Sequence, residues 1–239
     1  MLRRLLILTV LLSFAGLAAA QDRPVTRNEL DGLIHDYLLA HPEMLTEMQR
    51  VLVARKVKEA LRDNKAALYS DPGDAVIGNP QGDVTIIEFF DDECPFCKLL
   101  TPQLDRLIAN DPKVRVILKE FAILGPGSET AARFALASKK QGRYPAFHAA
   151  LMADKTPEHT LAEPHILDIA KAVGLDPVQL KQDAAAPELL AQLNRTRALG
   201  QAIGIVGTPG LVIGDKVYSG LMPYDDMVKA IAAERASAH

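Results

Sequence analysis

The sequence predicts an α/β domain that carries a long helical insertion and is preceded by a separate α-helical segment. Three observations predict it. An apolar strand ends in Cys94-Pro95-Phe96-Cys97, passes into a helix and is followed by a second apolar strand, the pattern of a βαβ unit. The stretch from Ser128 to Gly200 reads as helical and is too long for a loop, so it is an insertion into that domain. The chain then ends strand, strand, helix, with the turn Gly214-Asp215 between the two strands.

The first residues are predicted to be an address and not part of the fold. Arg3 and Arg4 precede an apolar run from Leu5 to Leu17, which closes on Ala18-Ala19-Ala20. That is the layout of a secretory signal peptide at residues 1–20, and its apolar core is short of the ~20 residues a membrane span needs. The expected location is the periplasm, with a soluble mature chain. Removing the leader takes away two of the 27 basic residues and none of the 30 acidic ones, so the mature charge is −5. An acidic chain without basic runs argues against nucleic acid as a partner.

Residues 21–70 are predicted to form a helical region. Thr26 to Glu29 reads as a capping box, and Leu30, Leu33, Ile34, Tyr37 and Leu38 follow at helical spacing. His41-Pro42-Glu43 stops this helix and starts a second one running to Leu68, with Met44, Leu45, Met48, Val51 and Leu52 on one face. Its later half is heavily charged and reads as a solvated stalk. Two such helices cannot bury their apolar faces alone, which favours self-association over packing on the main domain. Turn clusters at Asp71-Pro72-Gly73-Asp74 and Gly78 to Gly82 mark the boundary, and the main domain is set at residues 71–239.

Within that domain the strand Val84 to Phe90 is nearly all apolar, as expected for a strand covered on both faces. Glu88 interrupts it. The following helix runs to about Ala109 with Pro102 inside it, and Val114 to Glu120 is the next strand. The insertion, about 128–200, contains helices over Thr160 to Val173, Pro177 to Asp183 and Pro187 to Gly200. Leu211 to Ile213 and a return strand from Val217 lead into the last helix, Tyr224 to Glu234.

The chemistry is expected at the two cysteines, which are the only ones in the chain. A two-residue gap closes almost no loop, so a structural disulfide here would stabilise little. Zinc needs two further ligands, and the pairs His35/His41 and His159/His165 do not fit a Cys-to-His spacing. A redox-active dithiol remains. At a helix start the first cysteine meets unpaired N–H groups and the helix dipole, both of which favour the thiolate. Cys94 is therefore the expected nucleophile and Cys97, one turn on, the inward-facing resolving thiol. Pro95 pre-sets the helical φ, and Phe96 is exposed between the sulfurs where it can touch substrate. Asp91, Asp92 and Glu93 are expected to form a solvated acidic lip. Glu88 has two readings: a buried proton acceptor beneath Cys97, or an edge residue paired with a lysine. Pro209 stands just before a strand and is a candidate cis-proline, placing Thr208 beside Cys94 to pair with an extended substrate chain. His148 is expected to be a packing residue.

Glu88-Phe89-Phe90 six residues ahead of Cys94-Pro95-Phe96-Cys97, the helical insertion and Val206-Gly207-Thr208-Pro209 together resemble the DsbA family of thiol–disulfide oxidoreductases. The resemblance implies a thioredoxin fold with an inserted helical domain. It implies Cys94 and Cys97 as the catalytic pair, Pro209 as cis-proline, Glu88 as the family's buried acid, and no cofactor or resident metal. Ile34-x-x-Tyr37-Leu38-Leu39-x-His41-Pro42-Glu43 and the charged helix after it resemble the N-terminal region of suppressor-of-copper-sensitivity C and Com1-like proteins. That implies a homo-oligomer, a trimer in some of that group. The expected function is thiol–disulfide exchange with cysteine-containing exported proteins, served by a membrane redox partner and leaning to isomerase or reductase. A dithiol oxidase is the alternative, and a Cu(I)-binding protein using the same two thiolates is the alternative from another class.

Overall fold

The computed structural model describes residues 24–237, so the predicted leader lies outside the described residues. The chain divides into two compact units, residues 1–52 and 53–239.

In the first unit, α1 (Arg27–Ala40) starts on the predicted capping box: the Glu29 backbone N–H donates to Thr26 Oγ1, and the Thr26 N–H donates to the Glu29 carboxylate. Helix α2 (Glu43–Asp63) begins in this unit and ends in the second. Leu30, Leu33, Ile34, Tyr37 and Leu39 of α1 and Leu45, Met48, Val51 and Leu52 of α2 are all exposed.

The second unit is built on a five-stranded sheet in the order β1-β3-β2-β4-β5. Strand β2 (Val84–Phe90), helix α4 (Pro95–Asn110) and strand β3 (Val114–Glu120) form the predicted βαβ unit, with β2 and β3 parallel. Strand β4 (Gly210–Ile213) lies antiparallel to β2, and β5 (Lys216–Ser219) pairs with β4 across the Gly214-Asp215 turn. Strand β1 (Ala75–Gly78), antiparallel to β3, was not foreseen, because its four residues sit between two turn clusters. Gly78 closes it at φ +75°, in the left-handed region that glycine enters without strain.

Alternation along β2 and β3 sorts the core into two layers. Ile86, Phe90, Val116 and Leu118 face one way, into a core with Leu100, Leu104 and Leu107 of α4. The inserted helices close this side: α5 (Pro126–Ser138), α6 (Tyr144–Ala153), α7 (Glu163–Ala172) and α8 (Pro177–Ala184), joined by Met227 and Ile231 of the C-terminal α10 (Tyr224–Ser237). Ile87, Phe89, Ile117, Phe121 and Val212 face the other way. They are covered by Leu199 of α9 (Pro187–Ala202), by Leu61 at the end of α2 and by Leu68 of the short α3 (Lys65–Tyr69).

That last contact moves the boundary drawn at residue 70. The stalk is solvated only in its earlier part. From Val57 onward its apolar residues pack on the sheet, with Leu68 fully buried, and they share with α9 the covering of the face of Ile87 and Phe89. Beneath α3, the Lys119 ammonium is buried against the carboxylate of Asp74 and donates to the Ala67 carbonyl.

Candidate active site

Strand β2, the central strand, delivers the redox pair just beyond its C-terminal end. Asp91 closes a turn there: its Oδ1 accepts from the Glu93 N–H at 2.9 Å, and the Cys94 N–H donates to the Asp91 carbonyl at 3.0 Å. Cys94 is the N-cap of α4, with extended backbone (φ −70°, ψ 118°), and Pro95 occupies the first helical position, where a missing N–H costs nothing. Cys97 follows one turn later and is fully buried, while Cys94 keeps 3% of its surface. Both are free thiols. Pro95 and Phe96 are exposed, Phe96 by 55%.

Across from them, the loop after α9 carries Val206, Gly207, Thr208 and Pro209. The Thr208–Pro209 peptide bond is cis, Pro209 is buried and Thr208 half-buried. Cys94 Sγ donates to the Thr208 carbonyl at 3.3 Å, which ties the β4 side of the sheet to the helix that starts after β2. Exposed Phe96, Leu99, Ile123 and Val206 leave an apolar surface at this end of the domain.

The two thiols are driven in opposite directions. A hydrogen bond from the Cys97 side chain does most to pull Cys94 down, to about 6; burial opposes it, while a side-chain hydrogen bond with Thr208 and the backbone N–H groups of Cys97 and Phe96 assist. Burial pushes the Cys97 thiol far up, and its bond to Cys94 and the nearby Glu88 carboxylate add to this. At neutral pH the first sulfur is a thiolate and the second keeps its proton.

Glu88 is 2% exposed and belongs to no ion pair among the described residues, so the edge reading with a lysine partner fails. It alternates with Ile87 and Phe89 and so lies on the same face of the sheet as Phe90 and Cys97. Burial first, then the Cys94 charge and Asp105, push it up to about 8.

The acidic lip expected to be solvated is buried. Asp91, Asp92 and Glu93 are 1%, 1% and 3% exposed. Two of them are consumed by backbone donors. Asp91 Oδ2 accepts from the N–H groups of Ile123 and Leu124, and the Glu93 carboxylate accepts from the Ser128 N–H and hydroxyl and the Leu161 N–H. They pin the start of the helical insertion to the redox loop. Asp92 has no such partner. Glu120, at the end of β3, was passed over in the sequence because it closes an apolar strand. The register Phe90↔Glu120 puts it on the Glu88 face, where Tyr144 donates to it at 2.8 Å. His148 packs as expected, edge-on to Phe90 and stacked on Tyr144.

A thiolate at a helix N-terminus, paired with a buried thiol and facing a cis-proline loop, can attack a disulfide and then be resolved from within. On this fold it defines the class: a thiol–disulfide oxidoreductase with a thioredoxin fold and a helical insertion. Comparison with known proteins gives the family. Residues 85–232 match the DSBA-like thioredoxin domain, and the chain belongs to that family. Residues 27–59 match the N-terminal domain of the copper resistance protein ScsC.

Among solved structures, a thioredoxin-like oxidoreductase from Silicibacter pomeroyi DSS-3 is 42% identical, with a TM-score of 0.70 over 72% of this chain and 98% of that one. A linker-deletion mutant of Proteus mirabilis ScsC is 28% identical, with a TM-score of 0.74 over 92% of this chain and 99% of that one. Disulfide bond formation protein D of Bacillus subtilis is 28% identical over 68% of this chain and 77% of its own length. Among the described residues no helix is long and apolar enough to cross a membrane.

Proposed function

We propose that this protein is an exported disulfide isomerase or reductase that acts on cysteine-containing proteins through Cys94. The observation that carries the exchange chemistry is the split between the two thiols, one pulled down to about 6 and the other, fully buried, pushed up. The Cys94 thiolate attacks a substrate disulfide. A Cys94–substrate S–S bond forms, the substrate S–S bond breaks, and one substrate sulfur leaves with the electron pair. The Thr208 backbone and the apolar side chains around it hold the substrate chain in extended form.

Two exits follow. In isomerisation another substrate thiolate attacks the mixed disulfide and returns Cys94 as thiolate, with no net electron transfer. In reduction Cys97 gives its proton to Glu88 and attacks Cys94 Sγ. The Cys94–Cys97 bond forms and the substrate leaves reduced by two electrons. Capture of Cys94 prepares this step: burial and then the Cys94 thiolate hold Glu88 protonated, and the mixed disulfide removes that thiolate charge, so more of Glu88 is in the ionised form that can take the Cys97 proton. A membrane dithiol partner would reduce the enzyme again.

Self-association supports the isomerase side. The exposed apolar stripe on α1 and the start of α2 needs a cover, and copies of the same region supply one. Several thiolate sites held apart in one assembly suit the reshuffling of a multi-disulfide substrate. The depressed Cys94 thiol favours a second reading, a dithiol oxidase, since stabilising the thiolate stabilises the reduced enzyme. Refolding of scrambled ribonuclease tests the proposal: reactivation is expected, whereas rapid oxidation of reduced ribonuclease with no reactivation of the scrambled form would make the protein an oxidase.

A further inference from the structure

Behind the dithiol lies a group of buried acids that the exchange chemistry above does not use. Both carboxylate oxygens of Asp92, Glu120 Oε2 and His148 Nδ1 are buried without a hydrogen-bond partner. Buried carboxylates are tolerated when donors surround them, as Asp91 and Glu93 are. Asp92 has no donor, and Glu120 has only the Tyr144 hydroxyl, on its other oxygen. Asp92 lies two residues beyond Phe90, which pairs with Glu120 in the sheet. The Asp92 charge bears on Glu120 more than any other charge does, and both bear on Tyr144.

Every element packed around the pair contributes a titratable or charged group. Glu88 comes from β2, Asp91 and Glu93 from the redox loop, Lys98 from α4, Tyr144 and His148 from α6, and Lys139 from beyond α5. The cations do not close on the acids. Lys98 donates to the Asp154 carbonyl and Lys139 to the carbonyls of Gly73 and Asp74. His148 is neutral, since burial pushes it down to about 4.

Two adjacent buried carboxylates without a cation repel each other strongly. A proton between them removes one charge and gives an oxygen of each an O–H···O partner. We propose that Asp92 and Glu120 share a proton between their unpartnered oxygens and act as positioning residues behind the dithiol, keeping negative charge low so that Glu88 is free to take the proton of Cys97. The inference rests on the exchange reading above for the role of Cys97, but the shared proton itself does not depend on it. Burial, with the Asp91 charge next, pushes Asp92 up to about 8, and burial with the Asp92 charge holds Glu120 well above the ordinary carboxyl range. The pair therefore keeps a proton at neutral pH and gains charge as the medium turns alkaline.

Two measurements on the full chain test this. Infrared titration of the reduced Glu88→Gln protein should show a protonated carboxyl signal at pH 7 that disappears when Asp92→Asn and Glu120→Gln are added. With Asp92→Asn alone, the remaining carboxyl should lose its proton at lower pH than the intact pair does. Release of glutathione from a Cys94–glutathione mixed disulfide reads the role. With Glu88 present, Asp92→Asn/Glu120→Gln should move the pH midpoint of release lower by about one unit, while the pH midpoint of Cys94 alkylation stays put. No protonated carboxyl signal at pH 7, or a single-variant titration unchanged from the pair, overturns the shared proton. An unmoved release midpoint overturns the positioning role. If the double variant does not fold, Asp92→Asn is read instead: its remaining carboxyl should titrate lower than the pair does, and its release midpoint should move down by less than about one unit because one carboxylate is left; a midpoint that does not move at all overturns the positioning role. Failure of glutathione release at every pH would instead count against Cys97 as resolving thiol, and the infrared titration would still decide the pair.

Discussion

The thiol of Cys94 donates to the carbonyl of Thr208 at 3.3 Å, across 114 residues of sequence. The contact couples the helix that stabilises the thiolate to the loop that can hold a substrate chain. The bond belongs to the thiol form of Cys94; on ionisation the sulfur gives it up and stays beside that loop, free to attack a disulfide held there.

Cys97→Ser should leave the attack intact and remove the internal exit. Covalent Cys94–substrate complexes should then accumulate and be visible on non-reducing gels, whereas Cys94→Ser should lower exchange to the uncatalysed rate and trap nothing. Absence of trapped complexes in Cys97→Ser would take the resolving role away from Cys97.

The reduced protein should lose stability as the medium is raised from pH 5 to pH 8. Glu88 and Asp92 titrate near 4.5 and 3.8 when unfolded and about 8 when folded. Across that window the folded state binds more protons at both sites, so raising the pH favours unfolding. Cys94 acts the other way, but only from about 6 upward. Two carboxyls displaced over about three units outweigh one thiol displaced over about two, at roughly 1.4 kcal/mol per unit. Urea unfolding should place the wild type several kcal/mol lower at pH 8 than at pH 5, and Glu88→Gln should remove a loss on the order of 4 kcal/mol. An undiminished gap in Glu88→Gln would mean that Glu88 is already ionised in the folded protein.

The strands, the redox helix and the C-terminal hairpin are legible in the sequence because each is a local pattern: an unbroken apolar run, a Cys-x-x-Cys with proline at the first helical position, a glycine turn. What is not legible depends on partners remote in sequence. Asp91 and Glu93 look like a solvated lip until Ile123, Leu124, Ser128 and Leu161 bring backbone donors to them. Glu120 looks like a strand end until the parallel register sets it beside Phe90. Leu61 and Leu68 sit in a charged helical stretch whose periodicity says nothing about what it covers.

The Lys119–Asp74 pair is of this kind and should be costly to break. Lys119 is 1% exposed, and burial has already pushed Asp74 up to about 6 despite the cation. Lys119→Met would leave that carboxylate buried and unpaired and should cost about 3–5 kcal/mol, while Lys119→Met/Asp74→Leu should recover much of the loss. Denaturant unfolding of the single and double variants measures both, and an equally damaged double variant would mean that the hydrogen bond from Lys119 to the Ala67 carbonyl, and not the pairing with Asp74, holds α3 in place.

Two truncations should separate the two jobs of the N-terminal helices. Starting the chain at Val53 removes the exposed stripe of Leu30, Leu33, Ile34, Tyr37 and Leu39 and leaves the unit of residues 53–239 whole. That protein should fold, keep its reactive Cys94 and run as a monomer in light scattering, where the full mature chain runs as an oligomer. Starting at Pro72 also removes Leu61 and Leu68 and uncovers Ile87, Phe89 and Val212. Two buried leucines at about 1.5–3 kcal/mol each make that cut cost about 3–6 kcal/mol, a large share of the stability of an ordinary domain. The shorter protein should therefore unfold at markedly lower denaturant. Equal stability of the two truncations would mean that α3 and the end of α2 do not hold this face of the sheet. A full-length chain that runs as a monomer would leave the apolar stripe without its proposed cover and would remove the main support for isomerase over oxidase.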